Sequence, residues 1–156
     1  MRPYIILRYI GLVLLLNAGL MFFSFLISVY NSDSAQIPLF LSFILTALLG
    51  VFPMVFVPPT HQISNKEAYI IVVLGWLVIC AFGTLPYILW GGEFSVINAW
   101  FESVAGYTTT GSTILNDIEV LPKGLLFWRS ATHWLGGIGI ILFVLVIVLT
   151  IGKTRM

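Results

Sequence analysis

Four long uncharged apolar runs constrain this chain more than any other feature. The first extends from Tyr9 to Ser32, between Arg8 and Asp33, and the second from about Ile37 to Val57, where Pro58-Pro59 closes it. The third spans Ala68 to Gly92 between Glu67 and Glu93, and the fourth spans Ser130 to Gly152 between Arg129 and Lys153. A helix crosses the ~30 Å hydrocarbon layer with about 20 apolar residues, so each run is long enough. Only 8% of the 156 residues are charged and 60% are hydrophobic, far from the roughly 25% charged of an ordinary soluble domain. An all-α membrane protein is the expectation, with lipid as solvent. The first run follows Arg2 and Arg8 like a signal peptide, but it is too long for a typical apolar signal core and reads as a membrane anchor.

Charge excludes further classes. Seven Lys and Arg are scattered and the net charge is +1, so no nucleic-acid partner is expected. The single cysteine, Cys80, lies in an apolar run; it forms no intrachain disulfide and no thiolate metal site, and reads as a packing residue.

The positive-inside rule gives an orientation. With the N-terminus in the cytoplasm, Arg2, Arg8, Lys66, Lys153 and Arg155 fall inside and only Lys123 and Arg129 outside. The outer segments then carry Asp33, Glu93, Glu102, Asp117 and Glu119, a negative mouth that would concentrate cations.

Between the third and fourth runs the pattern changes. Phe94 to Tyr107, FSVINAWFESVAGY, is apolar enough for lipid but as a helix reaches only about two-thirds of the way across. It has to enter and return. Thr108-Thr109-Thr110-Gly111-Ser112-Thr113 follows, then the polar turn Asn116-Asp117-Ile118-Glu119. Non-helical backbone at membrane depth is tolerated only where protein or a water-filled path satisfies it, and a dehydrated cation is one such partner. Gly111 can adopt dihedrals closed to other residues, and the negative end of the preceding helix dipole favours a cation. A plain polar loop has the same composition. Span, half-length helix, Thr-rich segment and span in that order match the M1-P-M2 order of potassium-channel pores.

Specific residues narrow this further. Phe101-Glu102-Ser103 through Thr108-Thr109-Thr110-Gly111-Ser112-Thr113, then Leu121-Pro122-Lys123, Trp128-Arg129 and Trp134-Leu135-Gly136-Gly137-Ile138-Gly139-Ile140-Ile141, resemble the first pore repeat of Trk-type potassium uptake proteins, within the Trk/Ktr/HKT superfamily. The two spans before it resemble the bacterial Trk branch. The resemblance implies residues 1–66 as a two-helix transmembrane hairpin and 67–156 as one M1-P-M2 repeat: M1 about 68–92, pore helix about 94–107, filter 108–113, M2 about 128–151. It implies a potassium filter from Thr109, Thr110 and Gly111, flanked by Thr108 and Ser112, with potassium as transported substrate and no cofactor bound by the chain. It implies a multi-pass protein of the bacterial inner membrane and a cytoplasmic NAD- or nucleotide-binding regulatory partner. Such proteins carry four repeats and this sequence has one, so a truncated chain or fragment is expected, needing further repeats or copies of itself to conduct. A non-conducting membrane fragment is the alternative.

Other residues have simpler readings. His133 has no second ligand spaced near it and reads as packing or interfacial; an intramembrane hydrolase with Ser112 as nucleophile and His133 as base lacks a Gly-x-Ser-Gly motif. Gly136-Gly137-Ile138-Gly139 allows close packing on the pore helix or a softened hinge. Trp90, Trp100, Trp128 and Trp134 read as anchors at the outer boundary. Glu102 is an acid at partial membrane depth, expected to hydrogen-bond behind the filter or face the vestibule.

Overall fold

A computed structural model describes residues 2–59 and 63–153, with side chains through 141; Arg155, counted with the inner charges, lies outside them. All regular structure among the described residues is helical: α1 (Pro3–Tyr30), α2 (Gln36–Phe56), α3 (Asn65–Gly83), α4 (Leu85–Trp90), α5 (Val96–Tyr107), a single 3-10 turn (Ile118–Val120) and α6 (Lys123–Lys153). Three stretches, Pro3–Tyr30, Gln36–Phe56 and Asn65–Trp90, are long and apolar enough to cross a membrane. Each has an apolar side chain on its outer face: Leu16, Leu48, Phe52, Val73 and Leu77 are all exposed.

Helices α1 and α2 form a tight antiparallel pair. A Cβ on Gly11 would lie 2.8 Å from the Gly50 carbonyl oxygen, and one on Gly50 would lie 2.9 Å from the Leu15 side chain, so both glycines are needed for the backbones to approach. Arg8 closes one end by donating to the carbonyls of Met54 and Val57, at the last turn of α2. At the other end Asp33 accepts from Ser28 and, at 2.9 Å, from the Ala35 amide. Its second oxygen accepts from the Gly124 amide at 2.9 Å. A residue from the α1–α2 turn thus caps the orphan amides of α6, and a carboxylate there also suits the positive end of that helix.

The third run is not one straight helix. Pro86 has no amide hydrogen to offer the preceding turn, and the chain breaks at Thr84, whose amide and hydroxyl both go to the Ala81 carbonyl at 3.3 and 2.6 Å. The carbonyls released by the break find side chains: Ser103 Oγ donates to Cys80 at 2.7 Å, and Trp128 Nε1 donates to Gly83 at 3.3 Å. Unpaired carbonyls at membrane depth are costly, and two helices have been brought in to satisfy these.

Helix α6 starts at Lys123, five residues before the start read near 128. Arg129, left just outside the fourth span by the apolar run alone, therefore sits in the second turn of a 31-residue helix, with its charge paired to Glu102. Trp128, expected at the outer boundary, is completely buried with Tyr87, Met21, Leu39 and Leu125 in the core where α1, α2, α4 and α6 meet. Trp100 and Trp134 are exposed.

Candidate functional site: the segment after α5

Helix α5 begins at Val96, two residues later than read from the sequence, because Ser95 caps it by accepting from the Asn98 amide at 3.2 Å. Its 12 residues measure about 18 Å, short of the ~30 Å hydrocarbon thickness. Its small residues allow deep seating between α3 and α6. A Cβ on Gly83 would meet Ser103 Oγ and the Tyr107 ring at 2.6 Å. A Cβ on Gly106 would collide with the Thr132 hydroxyl, and one on Gly136 with the Tyr107 backbone. Tyr107, fully buried, donates its hydroxyl to Asn17 Oδ1 of α1 at 2.5 Å.

The helix ends in a Schellman motif. The Thr110 amide donates to Ala105 at 3.0 Å and the Thr109 amide to Gly106 at 2.9 Å, with Thr109 at the left-handed position, φ 56°. A β-branched residue there is strained. Hydroxyls reinforce the turn: Thr108 Oγ1 donates to the Val104 carbonyl at 2.7 Å, Thr109 Oγ1 to the Thr108 carbonyl at 2.7 Å, and Thr108 and Thr110 hydroxyls lie 2.8 Å apart. Gly111 follows at φ 75°, and a Cβ built on it meets nothing within 4 Å. Conformation, not space, calls for glycine there. Thr108 through Ser112 are all exposed.

Beyond Gly111 the chain is tied down again. Glu102, 1% exposed, accepts from Thr113 Oγ1 at 2.9 Å and from the Ile114 amide at 3.3 Å. Its other oxygen accepts from Arg129 Nε at 2.6 Å, and an Arg129 amino group reaches to 3.4 Å from the Gly111 carbonyl oxygen. A buried carboxylate is tolerable here because a guanidinium and two further donors satisfy it. Of the two positions open to Glu102 in the sequence, it takes the one behind the segment. Sequence reasoning assigned no bonding partner to Arg129, read as an outer flanking charge, or to Asn17, a polar residue within the first apolar run.

The alternative chemistry finds no geometry. His133 Nδ1 bonds the Arg129 carbonyl one turn back at 2.8 Å, and among the described residues no hydrogen bond joins it to Ser112. Nor do the described residues contain a group of three His, Cys, Asp or Glu side chains placed to hold a metal ion.

Comparison with known proteins gives the same direction. The Trk system potassium uptake protein TrkH of Vibrio parahaemolyticus is 33% identical over 151 residues, which cover 94% of this chain and 31% of that protein. The Escherichia coli K12 protein of the same name is 32% identical over the same shares. TrkI of Halomonas elongata, also a Trk system potassium uptake protein, is 45% identical over 92 residues, 58% of this chain and 19% of that protein. The crystal structure of the potassium transporter TrkH from Vibrio parahaemolyticus superposes with a TM-score of 0.87 at 32% identity, covering 94% of this chain and 32% of that one. The chain thus spans about a third of the length of the relatives it matches. The family described as TrkH, cation transport protein, matches residues 38–156, and the chain belongs to that family.

Proposed function

We propose that this chain supplies the first pore repeat, with the two spans before it, of a potassium uptake pore. In this reading residues 1–66 are a transmembrane hairpin and 67–156 an M1-P-M2 repeat, with α3 and α4 as M1, α5 as a re-entrant pore helix and α6 as M2. Thr109, Thr110 and Gly111, flanked by Thr108 and Ser112, contribute backbone oxygens to a cation filter, and potassium is the transported ion. The observation that carries the reading is the exposed turn after α5. A helix too short to span ends in a Schellman cap, and a glycine at φ 75° then redirects the chain. Carbonyls in such a segment lack helical partners, and a desolvated monovalent cation is the partner a membrane pore provides.

One such segment supplies about a quarter of a coordination shell, so the remaining oxygens come from other repeats or other copies of the chain. The N-terminus lies in the cytoplasm of a bacterial inner-membrane protein, and a cytoplasmic nucleotide-binding subunit regulates conduction from below. The test is complementation of potassium-uptake-deficient cells, with the chain alone and with the chain grafted in place of the matching third of the Vibrio parahaemolyticus relative. Growth at low potassium by the graft, abolished by Gly111→Ser, supports the reading. A graft that traffics to the membrane and transports nothing, or one whose transport is indifferent to Gly111→Ser, refutes it.

A further inference from the structure

Segment Thr108–Ser112 is pinned at both ends, but by different means. On the α5 side the pins are backbone bonds of the Schellman turn. On the return side they all pass through one buried carboxylate, Glu102, which holds Thr113 Oγ1 at 2.9 Å, the Ile114 amide at 3.3 Å and Arg129 Nε at 2.6 Å. Arg129 in turn extends to the Gly111 carbonyl at 3.4 Å. Glu102 comes from the middle of α5 and Arg129 from α6, so the pair also fixes the distance between the helix that delivers the segment and the helix behind it. The Leu115 amide continues the chain of bonds through Thr113 Oγ1 at 3.1 Å. Among the described residues no other charged side chain hydrogen-bonds to the segment, and the two charges of the pair oppose each other.

We propose that the Glu102–Arg129 pair is a positioning device that sets the path of Thr109–Ser112 and, through it, how strictly the segment discriminates between monovalent cations. The inference rests on the ion-pathway reading for its second half only. Glu102 and Arg129 are positioning residues: they act on the ion through the backbone they hold. A discriminating ring needs its oxygens at fixed radius, and a return strand freed at Thr113 and Ile114 lets the Gly111 carbonyl swing. The ordering of the variants follows from their chemistry. Glu102→Gln keeps an acceptor but leaves the Arg129 charge uncompensated, Glu102→Ala removes every bond made to the carboxylate, and the double variant Glu102→Gln, Arg129→Gln keeps hydrogen bonding with no net charge.

Two measurements separate the halves of the inference. Amide hydrogen exchange on the whole chain in detergent reads the brace directly. Glu102→Ala is expected to speed exchange at Ile114 and Leu115 about tenfold or more, with α1 and α2 amides unchanged. Unchanged exchange at Ile114 overturns the brace. The potassium-to-sodium uptake ratio of the graft reads the consequence: a lower ratio in Glu102→Ala with recovery in the double variant relative to Glu102→Gln is expected. Faster exchange at Ile114 with an unchanged ratio overturns the selectivity role, since a purely structural contact would change amount of transport and not preference. A graft silent even with the native pair overturns the ion-pathway reading and with it the selectivity role, while exchange at Ile114 still decides the brace.

Discussion

Adjacent glycines in α6 make a matched experiment. A Cβ on Gly136 would come within 2.7 Å of the Tyr107 carbonyl carbon and 2.8 Å of its Cα, both main-chain atoms at the end of α5, whereas a Cβ on Gly137 finds only the Thr109 methyl at 3.9 Å. Ordinary contact begins at 3.4 Å and the Tyr107 carbonyl oxygen lies nearer still, so Gly136→Ala forces α6 and the end of α5 apart by about 1 Å or more, against an interior that yields poorly. Overpacking of this kind costs about 1–3 kcal/mol, and a helical methyl in free space gains up to about 1 kcal/mol over glycine. Both substitutions gain that helical preference, so they are expected to differ by the overpacking alone, about 1–3 kcal/mol, with Gly136→Ala the less stable and Gly137→Ala at or above the parent. Reversible unfolding in mixed micelles measures the difference. Transport by the graft should fall with Gly136→Ala alone, because the displaced element is the one that delivers Thr108. Equal stability of the two variants would refute the close approach of α6 to Tyr107 and the placement of α5 that depends on it.

Further outcomes follow from other contacts. Asp33→Ala removes the acceptor shared by Ser28, Ala35 and Gly124 and should cost about 1–2 kcal/mol in the same unfolding assay, while Asp33→Asn retains most of the capping. Tyr107→Phe deprives Asn17 of its bond in a fully buried site and should cost about 1–3 kcal/mol. Adding Asn17→Leu should recover part of it, since an apolar pair leaves nothing unsatisfied; strictly additive losses would contradict a direct bond. At Gly111 there is room for a side chain but not for an ordinary φ. Uptake by the graft should therefore survive Gly111→Asn better than Gly111→Val, because asparagine enters the left-handed region more readily; the reverse order would show that volume, not backbone, is limiting.

Much of the architecture was legible in the linear chain. Long apolar runs gave the helical membrane protein, and the runs at Tyr9–Ser32 and Ile37–Val57 lie within a few residues of α1 and α2. The ordered residues from Phe101 to Ile141 pointed to the family that the comparisons then established. Errors gathered where one residue's state depends on a distant partner. Arg129 ended a span on a hydropathy reading and lies inside a helix, with its charge paired to Glu102, 27 positions away. Trp128 looked like an interfacial anchor and is core, its indole engaged by a carbonyl that the Pro86 break released. Asp33 looked like one charge of a negative outer mouth and caps a helix 91 residues on.

Sequence alone determined which stretches are long and apolar enough to cross a membrane, that one helix is too short to do so, and that a threonine-rich turn around a single glycine follows it. These are properties of neighbouring residues, and transfer from water to hydrocarbon sums over neighbours. Only the tertiary structure decided how that turn is held, since a buried carboxylate is tolerated when several donors converge on it, and convergence of Thr113, Ile114 and Arg129 on Glu102 is a property of packed helices, not of order along the chain.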